Sequence, residues 1–428
     1  MLEREDEIRA ALWTDFKKPG PEVDLTEITA TLIELNHAIR HLKRWTKPRR
    51  KKTPTYLIGT TTDVAYFPKG PSLIIAPWNY AILLTLGPVV HATAAGCPFV
   101  IKPSENTPRA SELLKELIES VYPPEEAAVF LGGTEVATEL LDLPFRHIHF
   151  TGNPRVGKIV MVAGAKHLSS VTLELGGKSP AYVDASADLV ESARAICFGK
   201  FSNSGQTCIA PDYVLVDESV QDELIENIKV ELSRAYGSED VGEKVSRIIA
   251  DKHFERQREM LDEALTGGAT IIVGGELDAA SRLVPPTVLK GVPPEAKLLT
   301  EEIFGPILPI LPVASMEEAL EEILSRPPPL STYVFSRNKD VARTFSSSVR
   351  TGAVCVNATL LQFVQPFGPF GGEGNSGIGR SHGEAGFKAF SNGQVLLRRR
   401  WGSWLLRPLH PPYGSQTSLL NRVFRWLT

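Results

Sequence analysis

A chain of 428 residues exceeds what one ordinary core supports and suits two large domains. With 43% hydrophobic residues, 22% charged residues and a net charge of -4, it lacks the basic excess that nucleic acid requires of a partner. Its four scattered cysteines form neither a disulfide framework nor a zinc-spaced cluster, so no metal and a reducing, cytoplasmic setting are expected.

The charged start, Met1 to Ala11, has a helical pattern and is not a signal peptide, and no apolar run reaches bilayer-spanning length. Residues 22 to 45 place Ile28, Leu32, Leu35, Ile39 and Leu42 at helical spacing, which predicts an amphipathic helix buried along that stripe. The basic run Lys43 to Lys52, broken by Pro48, reads as a solvated loop. Thr55 to Pro68 is half polar and extended, as in an exposed ribbon.

A regular alternation then begins. Strands are predicted at Ser72 to Ala76, Phe99 to Lys102, Ala127 to Leu131 and His147 to Phe150. Helices are predicted at Leu83 to Ala95, Arg109 to Val121 and Glu135 to Leu141. Such alternation predicts an α/β fold with a parallel sheet covered on both faces. Val171 to Asp184 is β-like and marks a domain boundary. A second alternating unit runs to about residue 350, with elements at Leu189 to Lys200, Asp222 to Ala235, Ala269 to Val273 and Met316 to Leu324. Phe367 to Gly379 is a structured glycine-rich loop.

Four places carry chemistry. Cys208 sits in FSNSGQTCIAP, among small turn-forming residues at what reads as a helix start, where backbone N–H groups favour a thiolate; a buried structural cysteine is the equal alternative. Glu174 lies between Leu173 and Leu175 in an apolar strand, where burial would raise its pKa toward that of a general base, against the commoner case of an outward-facing strand residue. Asn79, in APWNY after a strand, offers an amide to a developing oxyanion, against the plainer reading of a turn. Gly152 and Gly157 flank a strand-to-helix turn, where backbone can approach a phosphate although the spacing is not the usual dinucleotide fingerprint; Lys102 and Glu105 follow an earlier strand and suit ribose hydroxyls, against the commoner case of two solvated charges.

Together these residues resemble an aldehyde dehydrogenase, of the class 3 branch that takes fatty and aromatic aldehydes. NSGQTCIAPDY (203 to 213) is similar to the nucleophile segment, LELGGKSP (173 to 180) to the general-base motif and PWNY (77 to 80) to the oxyanion motif. EEIFGPILPI (301 to 310) is similar to the second acidic motif and PFGGEGNSGIG (369 to 379) to the late glycine-rich loop. The likeness runs from about Glu7 to Tyr413.

The resemblance implies a Rossmann-like NAD(P)-binding domain (1–54 and 70–173), a second α/β catalytic domain (174–383), and a small β dimerisation arm with a C-terminal tail (55–69 and 384–428). It implies Cys208 as nucleophile, Glu174 as base for the hydrolytic water, and Asn79 with the Cys208 backbone N–H as oxyanion hole. Lys102 and Glu105 would hold the adenosine ribose, Glu302 and Phe304 the nicotinamide ribose and ring, and Gly152 and Gly157 the phosphate-facing turn. The implied reaction is oxidation of an aldehyde to an acid through a thioester. NAD is expected over NADP, because Glu105 repels a 2′-phosphate, and a homodimer is expected.

Departures from the pattern are a first helix expected to be shortened or absent, Asn153 in place of Ser, and Ala81 in place of Pro. Rival functions are a coenzyme A-acylating enzyme using the same cysteine, which a hydrolytic Glu174 would undercut, and a non-catalytic binding protein of the same fold. In the tail, Leu419, Leu420, Val423, Phe424 and Leu427 would share a helix face beside Arg422 and Arg425. That face either packs on a partner subunit or lies peripherally on a membrane.

Overall fold

In the computed structural model, which describes residues 1–237, 241–402, 404, 407 and 410–427, the chain builds two large sheets and one small one. Strands β1 (Arg49–Lys51) and β2 (Thr60–Pro68) come first and pair antiparallel. Next come β3 (Ser72–Ile75), β4 (Phe99–Lys102), β5 (Ala127–Val129), β6 (His147–Gly152) and β7 (Ser170–Leu175), joined in parallel in the order β7-β6-β3-β4-β5. Helices Leu83–Ala95, Pro108–Val121, Thr134–Leu141 and Pro154–His167 make the crossovers.

The second sheet is seven-stranded. It uses β8 (Pro180–Val183), β9 (Tyr213–Asp217), β10 (Thr270–Val273), β11 (Thr287–Lys290), β12 (Ile307–Val313), β13 (Ser331–Phe335) and β14 (Ala353–Val356), in the order β10-β11-β12-β9-β8-β13-β14. Two strands then return to earlier sheets. The two-residue β15 (Gly377–Ile378) pairs antiparallel with β7, and β16 (Ser391–Arg399) completes the small sheet against β2. Gly377–Ile378, expected with the second unit, is therefore hydrogen-bonded into the first sheet, opposite Glu174 and Leu173.

The β-like stretch 171 to 184 splits between sheets: β7 closes the first and β8 opens the second. The crossing between them is Gly176-Gly177. A Cβ on Gly176 would stand 2.3 Å from a Glu302 carboxylate oxygen, and one on Gly177 3.1 Å from the Leu330 nitrogen. Only glycine lets the chain pass so close to other groups.

Both sheets are filled on both faces, as parallel sheets require. Leu73, Ile75, Phe150 and Leu173 pack on Leu140 and Val160, whereas Ile74 and Ile101 face Val89, Trp45 and Phe390. Asn153 caps the helix Pro154–His167 by accepting the Val156 N–H, a role a serine would also fill. The N-terminal residues form a helix, Glu5–Phe16, whose Ile8, Leu12 and Phe16 share a core with Leu113 and Leu114.

The predicted helix at 22 to 45 is present, with Ile28 of its apolar stripe buried and Leu32 packed on the same core, but its later turns face the other way. Gly20–Val23 leads through a π-helical stretch, Asp24–Thr29, into Ala30–Thr46. The buried residues include Glu27, Thr31, Glu34, His37, Ala38 and Trp45, while Ile39 and Leu42 are exposed. Leaving two large apolar side chains in water forgoes about 1.5–3 kcal/mol each if both were otherwise buried. What offsets it is polar: Glu27 and Glu34 accept backbone N–H groups that ordinary apolar side chains would leave unpaired.

Candidate active site

Glu174 lies at the carboxyl end of β7, in register with Thr151 and Gly377. Its Oε1 accepts the Ser381 hydroxyl at 2.8 Å, and its Oε2 is buried with no partner. Burial pushes the carboxyl up to about 8, with Ser381 and Arg380 pulling the other way. A carboxyl poised near neutrality can take a proton from water.

Cys208 does not stand at a helix start. The helix Leu189–Phe201 precedes it, and a left-handed turn (Asn203, Ser204 and Gly205, with φ of 53°, 51° and 69°) carries the chain to an irregular loop. The expected low thiol pKa is also reversed. Burial and the negative charges of Glu302 and Glu174 push it up to about 12, against the N–H groups of Cys208 and Ile209. Cys208 and Glu174 line one cavity, whose other walls include Ile33, Leu83, Leu84, Phe363, Val364 and Phe370.

Asn79 is buried beside the cysteine loop. One amide hydrogen goes to the Gln206 carbonyl at 2.9 Å, leaving the second for another acceptor. Asn203 donates to the Asn79 carbonyl at 2.8 Å, and Tyr80 and Thr207 share a hydroxyl hydrogen bond at 2.7 Å. The segments bearing Cys208 and Asn79 are thus laced together. Gly205 is obligatory there, because a Cβ would lie 2.2 Å from the Gly305 carbonyl oxygen.

Glu302 is held by the Gly177 N–H at 3.2 Å, and burial with the charge of Asp212 raises its pKa to about 8. Phe304 takes a left-handed φ of 52° and meets Trp78 edge-on at 5.5 Å.

Lys102 and Glu105 form an ion pair at 2.6 Å just beyond β4. Across β3, at the end of β6, a Cβ on Gly152 would collide with the Phe150 ring, and one on Gly157 would lie 2.9 Å from Leu175. Gly157 lets the helix Pro154–His167 sit close on Leu175 of β7, with its N-terminus at the strand ends. That is the cradle a dinucleotide needs at the carboxyl edge of a parallel sheet.

Sequence reasoning missed Asp212, Ser381, His382 and the two buried glutamates. Glu27 accepts the N–H groups of Ile82 and Leu83 at 3.1 and 3.0 Å and pairs with buried Lys18 at 2.8 Å. Glu34 accepts from Gly383 at 2.7 Å and lies 2.8 Å from His91 Nε2. Glu27, Glu34 and Thr31 do recur at helical spacing, but a polar stripe reads as a solvated face until its partners are known.

The aldehyde dehydrogenase family profile matches residues 1–396. The chain belongs to the aldehyde dehydrogenase family. It is 42% identical to aldehyde dehydrogenase family 3 member A2 of Pongo abelii, over 97% of this chain and 85% of that one. It is 40% identical to 4,4'-diaponeurosporen-aldehyde dehydrogenase of Staphylococcus aureus, over 98% and 91%. The solved substrate-bound state of Staphylococcus aureus AldH superposes with a TM-score of 0.94 at 39% identity, covering 99% of this chain and 92% of that one. A Mycobacterium tuberculosis aldehyde dehydrogenase complexed with NAD+ is 26% identical with a TM-score of 0.85, over 94% and 83%. This aldehyde dehydrogenase is an NAD(P)-dependent oxidoreductase of the family's α/β fold.

Proposed function

We propose that this enzyme oxidises medium- or long-chain aliphatic, or aromatic, aldehydes to carboxylic acids through a thioester on Cys208. The carrying observation is the cavity that Cys208 and Glu174 share. Its walls are mainly apolar, and Ile33 and Val364 reach the surface, so an alkyl or aryl tail meets hydrocarbon along its path.

Cys208, freed of its proton, adds to the aldehyde carbon to give a thiohemiacetal. The second amide hydrogen of Asn79 and the Cys208 backbone N–H are the donors for the oxyanion, a contribution of about two to three powers of ten in rate. A bound nicotinamide cofactor supplies the two-electron acceptor. Lys102 and Glu105 would hold its adenosine ribose, the turn at Gly152 and Gly157 its phosphates, and Glu302 and Phe304 its nicotinamide half. Glu105 favours NAD over NADP by repelling a 2′-phosphate. Glu174 then takes a proton from water, which hydrolyses the thioester and releases the acid.

The test is absorbance of reduced nicotinamide with dodecanal and NAD or NADP, for wild type and Cys208→Ala. Reduction by the wild type alone, with free dodecanoic acid as product, is expected. A product that forms only when coenzyme A is present would overturn the hydrolytic reading.

Three further parts belong to the same reading. Residues 1–54 and 70–173 form the cofactor domain, 174–383 the catalytic domain apart from its return strand, and 55–69 with 384–428 the arm and tail. The protein is a homodimer joined through the arm, a reading supported by Phe67, Val395 and Leu397, which are exposed on β2 and β16. It works in the cytoplasm, as four cysteines without a disulfide fit a reducing compartment. Among the described residues no helix is long and apolar enough to cross a membrane. The tail helix Ser415–Leu427 touches the chain where Phe424 meets Tyr56 at 6.2 Å, and it exposes Leu419, Val423 and Trp426; the side chain of Leu427 lies outside the described residues. This helix covers a partner subunit or rests on a membrane surface.

A further inference from the structure

A general base has to present one oxygen to the water while the other is held. In Glu174 the two oxygens differ: Oε1 accepts from Ser381 Oγ at 2.8 Å, and Oε2 is buried without a partner. A hydroxyl has one hydrogen, and of the two acceptors near that of Ser381, Glu174 Oε1 at 2.8 Å and the Phe370 carbonyl at 3.4 Å, the carboxylate is much the nearer. His382 Nδ1 lies 3.0 Å from the same Oγ, so it is the ring that donates there, in the Nδ1–H tautomer.

The backbone around this pair is restrained on both sides. Ser381 exchanges both backbone hydrogen bonds with Phe370, at 2.7 and 3.0 Å. His382 is held at φ 67°, a left-handed conformation rare for a residue with a side chain, and Gly383 donates its N–H to buried Glu34. The His382 ring also stands edge-on to Phe363 at 4.6 Å. Strain of this kind persists only where the surroundings enforce it, and here it sets the Ser381 hydroxyl at the Glu174 carboxylate with the His382 ring behind that hydroxyl.

We propose that Ser381 is a positioning residue for the hydrolytic step: oriented by the His382 Nδ1–H, it fixes Oε1 of Glu174 and leaves Oε2 as the atom that takes the proton from water. This rests on reading Glu174 as the base. The other titratable or charged groups at this carboxyl are Arg380 beside Ser381, Cys208, His149, His91 and Glu34 in the shared cavity, and His382 itself.

The experiment follows reduced nicotinamide by stopped flow with NAD and dodecanal across pH, for wild type, Ser381→Ala, Ser381→Thr and Glu174→Gln. Ser381→Ala is expected to keep the wild-type rate of the first turnover, which leaves the thioester. Its steady-state kcat should fall by about tenfold or more, the weight of one hydrogen bond to a charged group. The rising limb of kcat should move to higher pH, because a donor favouring the carboxylate is gone. Ser381→Thr should restore both. An Ala variant with unchanged kcat and pH limb overturns the proposal, and so does one that slows the first turnover equally. If Glu174→Gln still turns over at the wild-type steady rate, it is the assignment of the base that fails, and the positioning role falls with it.

Discussion

Asp212 accepts the backbone N–H of Ile303 with both carboxylate oxygens, each at 3.2 Å, and so ties the cysteine loop to the segment bearing Glu302 and Phe304. The same carboxylate lies 2.7 Å from Lys178 Nζ and 3.5 Å from Lys200 Nζ, with all three side chains buried. Burial lowers the Lys200 ammonium to about 8, even with Asp212 opposing. One anion therefore supports two buried cations and the geometry between the Cys208 loop and the segment bearing Glu302 and Phe304.

Asp212→Ala should lose about 3–5 kcal/mol of stability, since removing one partner strands the opposite charges in the interior. Urea unfolding followed by intrinsic fluorescence reads this directly. A midpoint equal to that of the wild type would mean the lysines find water or another acceptor.

The buried carboxyls set a pH dependence of stability. Glu174 has a folded pKa of about 8, raised by burial from an ordinary 4.5. Between those values the folded chain keeps a proton that the unfolded chain has released, so stability falls as pH rises from about 4.5 to about 8. Glu174→Gln removes this term. Its stability relative to wild type should thus be greater at pH 9 than at pH 5, measured as paired unfolding midpoints. An identical difference at both pH values contradicts the shift.

Lys18 and Glu27 are both fully buried, and Glu27 also holds the N–H groups of Ile82 and Leu83, just beyond Asn79. Lys18→Met leaves that carboxylate without its cation and should cost about 3–5 kcal/mol in unfolding free energy. Because the clamp bears on the oxyanion loop, kcat should fall more than aldehyde KM rises. A pure loss of stability with unchanged kcat in the surviving folded fraction would confine Glu27 to a structural role.

Glu105 is half exposed in its ion pair with Lys102. On the proposed placement of the adenosine ribose, replacing it by Gln removes a charge that would repel a 2′-phosphate and frees Lys102 to meet one. The ratio of NADP to NAD affinity should rise in direct fluorescence titration. Tighter binding of NADP by the unmodified enzyme would overturn the NAD preference.

Truncation after Gly414 removes the tail helix with its exposed Leu419, Val423 and Trp426. If the helix rests on lipid, the full chain should float with anionic phosphatidylserine vesicles and the truncated one should not. Equal behaviour in flotation, with a changed sedimentation coefficient, places the helix on the partner subunit.

Much of the site could be read from the sequence because its chemistry sits in short, contiguous motifs. Glu174 in an apolar strand, Cys208 among turn-formers and Gly152 to Gly157 after a strand are local facts, and the alternation of periodicities exposed the first sheet. Tertiary structure alone decided how these motifs act on one another. The Cys208 thiol is raised, not lowered, because folding withdraws it from water and adds the charges of Glu302 and Glu174 from distant segments. The helix at 30 to 46 buries Glu34 and His37 and exposes Ile39, because a helix shows its apolar stripe to the core only when no polar partner waits there. Ser381 reaches Glu174 across more than two hundred positions because the two-residue strand β15 returns the chain to the edge of the first sheet. Periodicity reports which face of an element prefers water; which groups meet across a cavity is set by sheet order and crossovers, and those depend on contacts far apart in the chain.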